Sequence, residues 1–400
     1  MKKVLVIISG GLPIPAIKGG AVETLIDMYI NANEKLKKYK FEVYSTYCDG
    51  IEEYSKKYKY TKFNYIKTNK FFYQISRLIR AFMHKVLKLP VEFKFIHEVI
   101  KDICYNNKQY DLIIVENNAS LVIPLYKKFG NKIILHLHND NVNDKIQDGI
   151  ETYNDCKRIY AVSDYIKERC ETCGENIGKV ITLFNGINQD ELTMYSNSET
   201  RKEIRAKYNI KNEDVVFIFS GRICDDKGVK ELLIAFNNFK MHNNAISAKL
   251  MIVGASFFSA KKPTKYVKKL IDIAKSNKDD IIFTGYIKHC EMGKVYSASD
   301  VQVIPSKFDD PCPLTVLEGM TMGLPQIACK CGGIPEEVSE DNAILVERKN
   351  IIEELELAMK KMYNDKNLRE HMGIFSKKRA SMFKEEQYIE NFYKLLDKEF

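Results

Sequence analysis

Four hundred residues are more than one hydrophobic core usually serves, so the chain reads as two domains. With 45% hydrophobic and 29% charged residues the composition is that of an ordinary soluble globular protein; this excludes a disordered chain, and no stretch approaches a membrane-spanning length. The formal charge of +9 favours anionic partners, among them nucleotide-sugar diphosphates, anionic lipid surfaces and nucleic acid.

The start, MKKVLVIISGGLP, has a β-branched run ending in a Gly-Gly-Leu-Pro turn rather than a cleavage site, and reads as a first buried parallel strand, Val4 to Ser9. A loop rich in Gly and Pro then reaches Gly19-Gly20, and Ala21 to Leu36 has helical periodicity. Glycines at that point let backbone N–H groups approach an anion at the positive end of the helix. Glu42 to Tyr47 and Leu112 to Val115 read as strands. Between them, Lys56 to Lys88 holds no acid, and Phe71 to Lys88 reads as a basic amphipathic helix that lies on an anionic membrane or packs on the domain. Lys132 to Leu137 is a strand with His136 and His138 at its carboxyl end, Arg158 to Ser163 is the next, and Lys179 to Phe184 closes at Asn185-Gly186. The polar stretch from Asn188 to about Arg201 reads as linker.

The second half repeats the alternation. Strand Val215 to Ser220 leads into Gly221-Arg222-Ile223, two acids, Lys227-Gly228 and a helix from Val229 to Phe236. Strands AKLMIVG and IIFTGYI follow, then a helix from Glu291 to Ser297. From Val301 to Val338 the chain reads strand, acidic loop (Asp309, Asp310), helix carrying Glu318, strand Gln326 to Cys329 and the turn Gly332-Gly333. Asp310 and Glu318 are eight positions apart, so both carboxylates can face the crevice at the carboxyl ends of parallel strands. The tail from Glu385 to Leu396 is an amphipathic closing helix. Of the ten cysteines only Cys170 and Cys173 have C-x-x-C spacing, so reduced thiols and a cytoplasmic setting are expected.

This series resembles family 4 of the retaining glycosyltransferases, whose architecture, GT-B, sets two Rossmann-like β/α/β domains facing each other across a cleft. The donor signature of that family is an acid, seven residues, Glu, then Gly-Leu-Pro and a Gly-Gly turn; here the first acid is Asp310 rather than Glu, and Gly-Phe-Gly-Leu is replaced by Pro311-Cys312-Pro313-Leu314. Asp reaches one methylene less far, and Pro313 removes a backbone N–H from the sugar site. The resemblance implies an acceptor-binding domain over 1–190, a linker over 191–200, a donor domain over 201–376 and a helix over 377–400 returning to the first domain. It implies Arg222, Lys227, Asp310 and His138 as catalytic residues, with Gly19, Gly20, Gly221, Ile287, Pro313, Leu314 and Glu318 holding the donor. Glu318 is expected at the ribose hydroxyls, Asp310 at the sugar hydroxyls, and the backbone near Ile287 at the base.

The expected activity is transfer of a sugar, with a UDP-sugar as donor, to a cell-surface glycan or lipid-linked acceptor. Arg222 and Lys227 would oppose the charge on the leaving diphosphate, so no metal or other cofactor is expected. Nucleic acid is not an expected partner, whereas the inner face of the cell membrane is. Two rival readings are a nucleotide-sugar epimerase of the same architecture and a silent partner subunit. A Rossmann dehydrogenase is disfavoured, because no G-x-G-x-x-G follows the first strand.

Overall fold

Each half of the chain builds a parallel sheet from short strands that are apolar almost throughout, as strands covered on both faces must be. The computed structural model describes residues 1–67, 93–243, 246–255 and 264–400. These divide into two units, Met1–Phe184 with Tyr388–Phe400, and Asn185–Gln387. The basic stretch Phe71 to Lys88 lies outside the described residues.

In the first unit β1 (Lys2–Ile7), β2 (Tyr39–Thr46), β3 (Thr61–Ile66), β4 (Leu112–Glu116), β5 (Ile133–Leu137), β6 (Arg158–Ala161) and β7 (Val180–Thr182) lie in the order β3-β2-β1-β4-β5-β6-β7. The order reverses between β1 and β4, and a sheet of this kind offers its ligand crevice outside the carboxyl ends of the strands at such a switch. The edge strand β3 escaped the sequence reading because its TKFNYI is half exposed and carries little of the apolar run that marks its neighbours. Tyr388–Phe400 completes the core of this unit. Phe392 stacks on Tyr29 with ring centroids 4.2 Å apart and planes 7° from parallel, and the Tyr393 hydroxyl donates to the Tyr29 carbonyl at 2.6 Å.

In the second unit β8 (Val215–Ser220), β9 (Ala248–Val253), β10 (Ile281–Gly285), β11 (Val301–Ile304), β12 (Gln326–Cys329) and β13 (Ala343–Val346) lie in the order β10-β9-β8-β11-β12-β13. Here the switch falls between β8 and β11. The polar stretch read as linker carries two helices, Gln189–Thr193 and Ser198–Lys207. Asn188 and Asn197 cap them, their side chains accepting from Glu191 N at 3.2 Å and Thr200 N at 2.8 Å. Asparagine caps and charged surface residues give a short exposed helix the composition of a linker. Two Rossmann-like parallel sheets, of seven and six strands, are thus the frame on which the site residues are placed.

Candidate donor site and buried acid-histidine cluster

At the switch of the second unit, the loop after β8 brings Arg222 and Lys227 to the same sheet end as the loop after β11, which carries Asp310. Lys227 forms an ion pair with Asp310. Arg222 is exposed and makes no ion pair among the described residues. The backbone is shaped for this approach. Lys227 ends a short 3-10 turn (Asp225–Lys227) closed by Gly228 at φ 67°, where an added Cβ would lie 1.8 Å from the Pro305 carbonyl oxygen. On the other side Gly332, at φ 55°, lets its turn approach so closely that a Cβ would lie 2.3 Å from the Asp310 carbonyl oxygen, and Gly333 N donates to that oxygen at 2.9 Å. Asp310 is therefore fixed through its backbone by the Gly-Gly turn and through its carboxylate by Lys227.

Pro313 immediately precedes the helix Leu314–Thr321, with Leu314 as its first residue. Glu318 lies beyond the first turn of that helix, only 5% exposed. One of its oxygens accepts from the Tyr296 hydroxyl at 2.7 Å and the other faces His289 Nε2 at 3.2 Å. The hydrogen bond to Glu318 raises the His289 pKa to about 9, against the opposing effect of burial. Gly221, at φ 147°, is joined to its neighbours: its N donates to the Val253 carbonyl at 3.0 Å, and a Cβ on Gly254 would meet its carbonyl oxygen at 1.9 Å. Ile287 lies on the loop after β10, half-buried. Asn185 of the Asn-Gly turn donates to the Cys312 carbonyl at 3.2 Å, tying that turn to the Pro-Cys-Pro-Leu segment.

In the first unit Gly19 and Gly20 precede the helix Ala21–Leu36, both at positive φ. An added Cβ on Gly20 would lie 2.2 Å from Glu23 Oε2, so a carboxylate that is 8% exposed already occupies the N-terminal turn of the helix. Burial raises the pKa of Glu23. Beside this loop, at the ends of β4 and β5, His138 is not alone. Glu116 and His136 are direct partners in the β4–β5 register, and His138 follows two residues on, so all three share one face. Glu116 is fully buried; its Oε1 accepts from the Tyr29 hydroxyl at 2.9 Å, while Oε2 lies 3.1 Å from His136 Nδ1 and 3.4 Å from His138 Nε2. Burial works against ionisation of Glu116, yet the two histidines hold its pKa down to about 2. Burial, then the neighbouring His136, push the His138 pKa down to about 4. Among the described residues this trio is the one set of three side chains able to converge on a metal ion.

Sequence reasoning named eleven site residues but overlooked Glu116, Tyr29, Tyr296 and His289. A signal for Glu116 was present, an acid ending one apolar strand and His-x-His ending the next. Tyr29, Tyr296 and His289 gave none, since their partners are 22 or more positions away.

Residues 200–379 match the family described as glycosyl transferases group 1. Spore coat protein SA of Bacillus subtilis is 24% identical over 411 residues, covering 99% of each chain. The lipopolysaccharide 1,2-N-acetylglucosaminetransferase of Salmonella typhimurium is 28% identical over 233 residues, covering 57% of this chain and 56% of its own. Among solved structures, HepE of Anabaena in complex with UDP superposes with a TM-score of 0.74 at 16% identity, covering 100% of both chains. The fold is accordingly GT-B, and the family match lies within the second unit.

Proposed function

We propose that this GT-B glycosyltransferase is a retaining enzyme that moves a sugar from a UDP-sugar to a cell-surface glycan or lipid-linked acceptor. The observation that carries the reading is the convergence at the β8/β11 switch of Arg222, exposed, with the Lys227–Asp310 pair held between two glycine turns. Two cations and an acid so placed suit a ligand that is anionic at one end and rich in hydroxyls at the other. Lys227 would turn from Asp310 towards the diphosphate as charge develops on the leaving oxygen, and Arg222 would supply its planar fork. Asp310, relieved of its lysine, would accept sugar hydroxyls, while Glu318 takes the ribose. The leaving phosphate oxygen helps remove the acceptor proton on the same face of the ring, so retention needs no carboxylate nucleophile. With the diphosphate charge met by side chains, the donor site requires no metal. UDP complexes of HepE and the acetylglucosaminyl transfer named for the Salmonella relative support this choice of donor class.

The test is a hydrolysis screen of nucleotide sugars with purified protein, with the anomer of the released sugar read by NMR. Slow release from one UDP-sugar with the α configuration kept supports the reading. Release of the inverted anomer, or turnover of the donor into its epimer, would replace it. The basic stretch Phe71 to Lys88 is proposed to dock on anionic lipid, as its lack of acids suggests. Neutralising Arg77, Arg80, Lys85 and Lys88 together should abolish sedimentation with phosphatidylserine vesicles at physiological salt and leave donor hydrolysis intact.

A further inference from the structure

We propose that Glu116, His136 and His138 form a binding site for one divalent transition-metal ion of the zinc class, within the first unit. The expectation from sequence was a chain without metal, and the inference rests on how the three donor atoms are placed. Oε2 of Glu116 lies 3.1 Å from His136 Nδ1 and 3.4 Å from His138 Nε2. Ligands about 2.1 Å from one ion, at angles between octahedral and tetrahedral, are separated by about 3.0–3.4 Å. The approach of His138 Nε2 to Glu116 Oε2 also has the geometry of a hydrogen bond, but that of His136 Nδ1 to the same oxygen does not. Among the described residues neither ring nitrogen of His136 makes a hydrogen bond, although the residue is wholly buried. A wholly buried imidazole left with both ring nitrogens unpartnered is costly. Donor atoms whose lone pairs meet at a common point account for a His136 nitrogen that lies close to the Glu116 oxygen without bonding to it.

The surroundings fit the same reading. Two imidazoles and a carboxylate are the ligand set of zinc and its neighbours in the first transition row, and not of magnesium or calcium, which take oxygen. The second oxygen of Glu116 is oriented by the Tyr29 hydroxyl at 2.9 Å, as ligating carboxylates usually are. Tyr29 is itself held by Phe392 and Tyr393, so the last helix fixes the outer shell of the site. Coordination through Nε2 would leave the proton of His138 on Nδ1. This makes the ring a hydrogen-bond donor rather than a base.

The experiment uses the full-length protein, stripped with a chelator and titrated with Zn²⁺ and with Co²⁺. One ion per chain is expected after gel filtration, and Glu116→Gln and His136→Gln should each abolish stoichiometric binding. Tyr29→Phe should weaken it about 10- to 100-fold. If the ligand variants fail to fold, X-ray absorption on the loaded wild-type protein decides: a shell of two imidazole nitrogens and oxygen supports the site. Sulfur in that shell, from Cys170 and Cys173, would overturn it, as would wild-type protein that retains no ion. Donor hydrolysis is read separately, so a chain that hydrolyses UDP-sugars without binding metal overturns this inference and leaves the transferase reading standing.

Discussion

Arg222 and Lys227 lie five positions apart, yet their surroundings separate them. The Lys227 side chain is 22% exposed and is paired with Asp310, whose side chain is 11% exposed, whereas Arg222 faces solvent. Both Ala variants should lose about 100- to 1000-fold in kcat, as removal of one anion-stabilising donor does elsewhere. Lys227→Ala alone should also destabilise the fold, by roughly 1–3 kcal/mol, because it strands a buried carboxylate. Urea denaturation beside steady-state rates would show the difference; equal stability in the two variants would mean that the ion pair contributes nothing to the fold. Arg222→Lys should recover only part of the rate, since an ammonium lacks the fork. His289 makes a prediction in pH. Its pKa is raised to about 9 in the fold, so its pairing with Glu318 stabilises fully below the unfolded value of about 6.5 and is lost as pH rises through 9. The side chain is 54% exposed, which limits the effect to under about 1 kcal/mol. Thermal melts of wild type and His289→Gln should differ at pH 6 and coincide at pH 10; a gap persisting at pH 10 would point to packing instead.

Among the elements, the turns carry as much of the donor site as the strands. Gly332 is at φ 55°, and a Cβ there would collide with the Asp310 backbone, so Gly332→Ala must move the very loop that presents the carboxylate. The left-handed backbone alone costs about 1–3 kcal/mol for a residue other than glycine. The variant should unfold at lower urea and lose activity even though no side chain of the site is changed. If activity survives while stability falls, Asp310 is not positioned by the turn. The glycines of this turn were legible as a sequence pattern. That they hold a specific aspartate was not, because the contact joins positions about 22 apart through the backbone. The acid-histidine cluster shows the same division more sharply. Residues i and i+2 of a strand share a face, so His136 and His138 could be grouped from sequence. Glu116 joined them only when the β4–β5 register set it opposite His136.

For the whole molecule, the division into units that take in the tail has an energetic consequence. Phe392 is fully buried against Tyr29 in the first unit, so Phe392→Ala should cost about 3–5 kcal/mol there. Because the second unit has its own core, calorimetry should show one transition lowered and another unmoved. A single transition shifted as a whole would mean that the two units unfold together.

The amino-acid sequence by itself determined the repeated parallel β/α alternation, the loops that follow β8 and β11, and the cations, acids and glycines they carry. Each of these is a local pattern of apolar periodicity, turn residues and charge, readable within a window of some forty positions. Only the tertiary structure decided which charges meet. Lys227 faces Asp310 across 83 positions, Glu116 meets histidines 20 and 22 positions on, and Tyr393 is bonded to Tyr29 across 364. Such partners are chosen by strand order and register, and these are set by the packing of the whole unit rather than by any one segment of the chain.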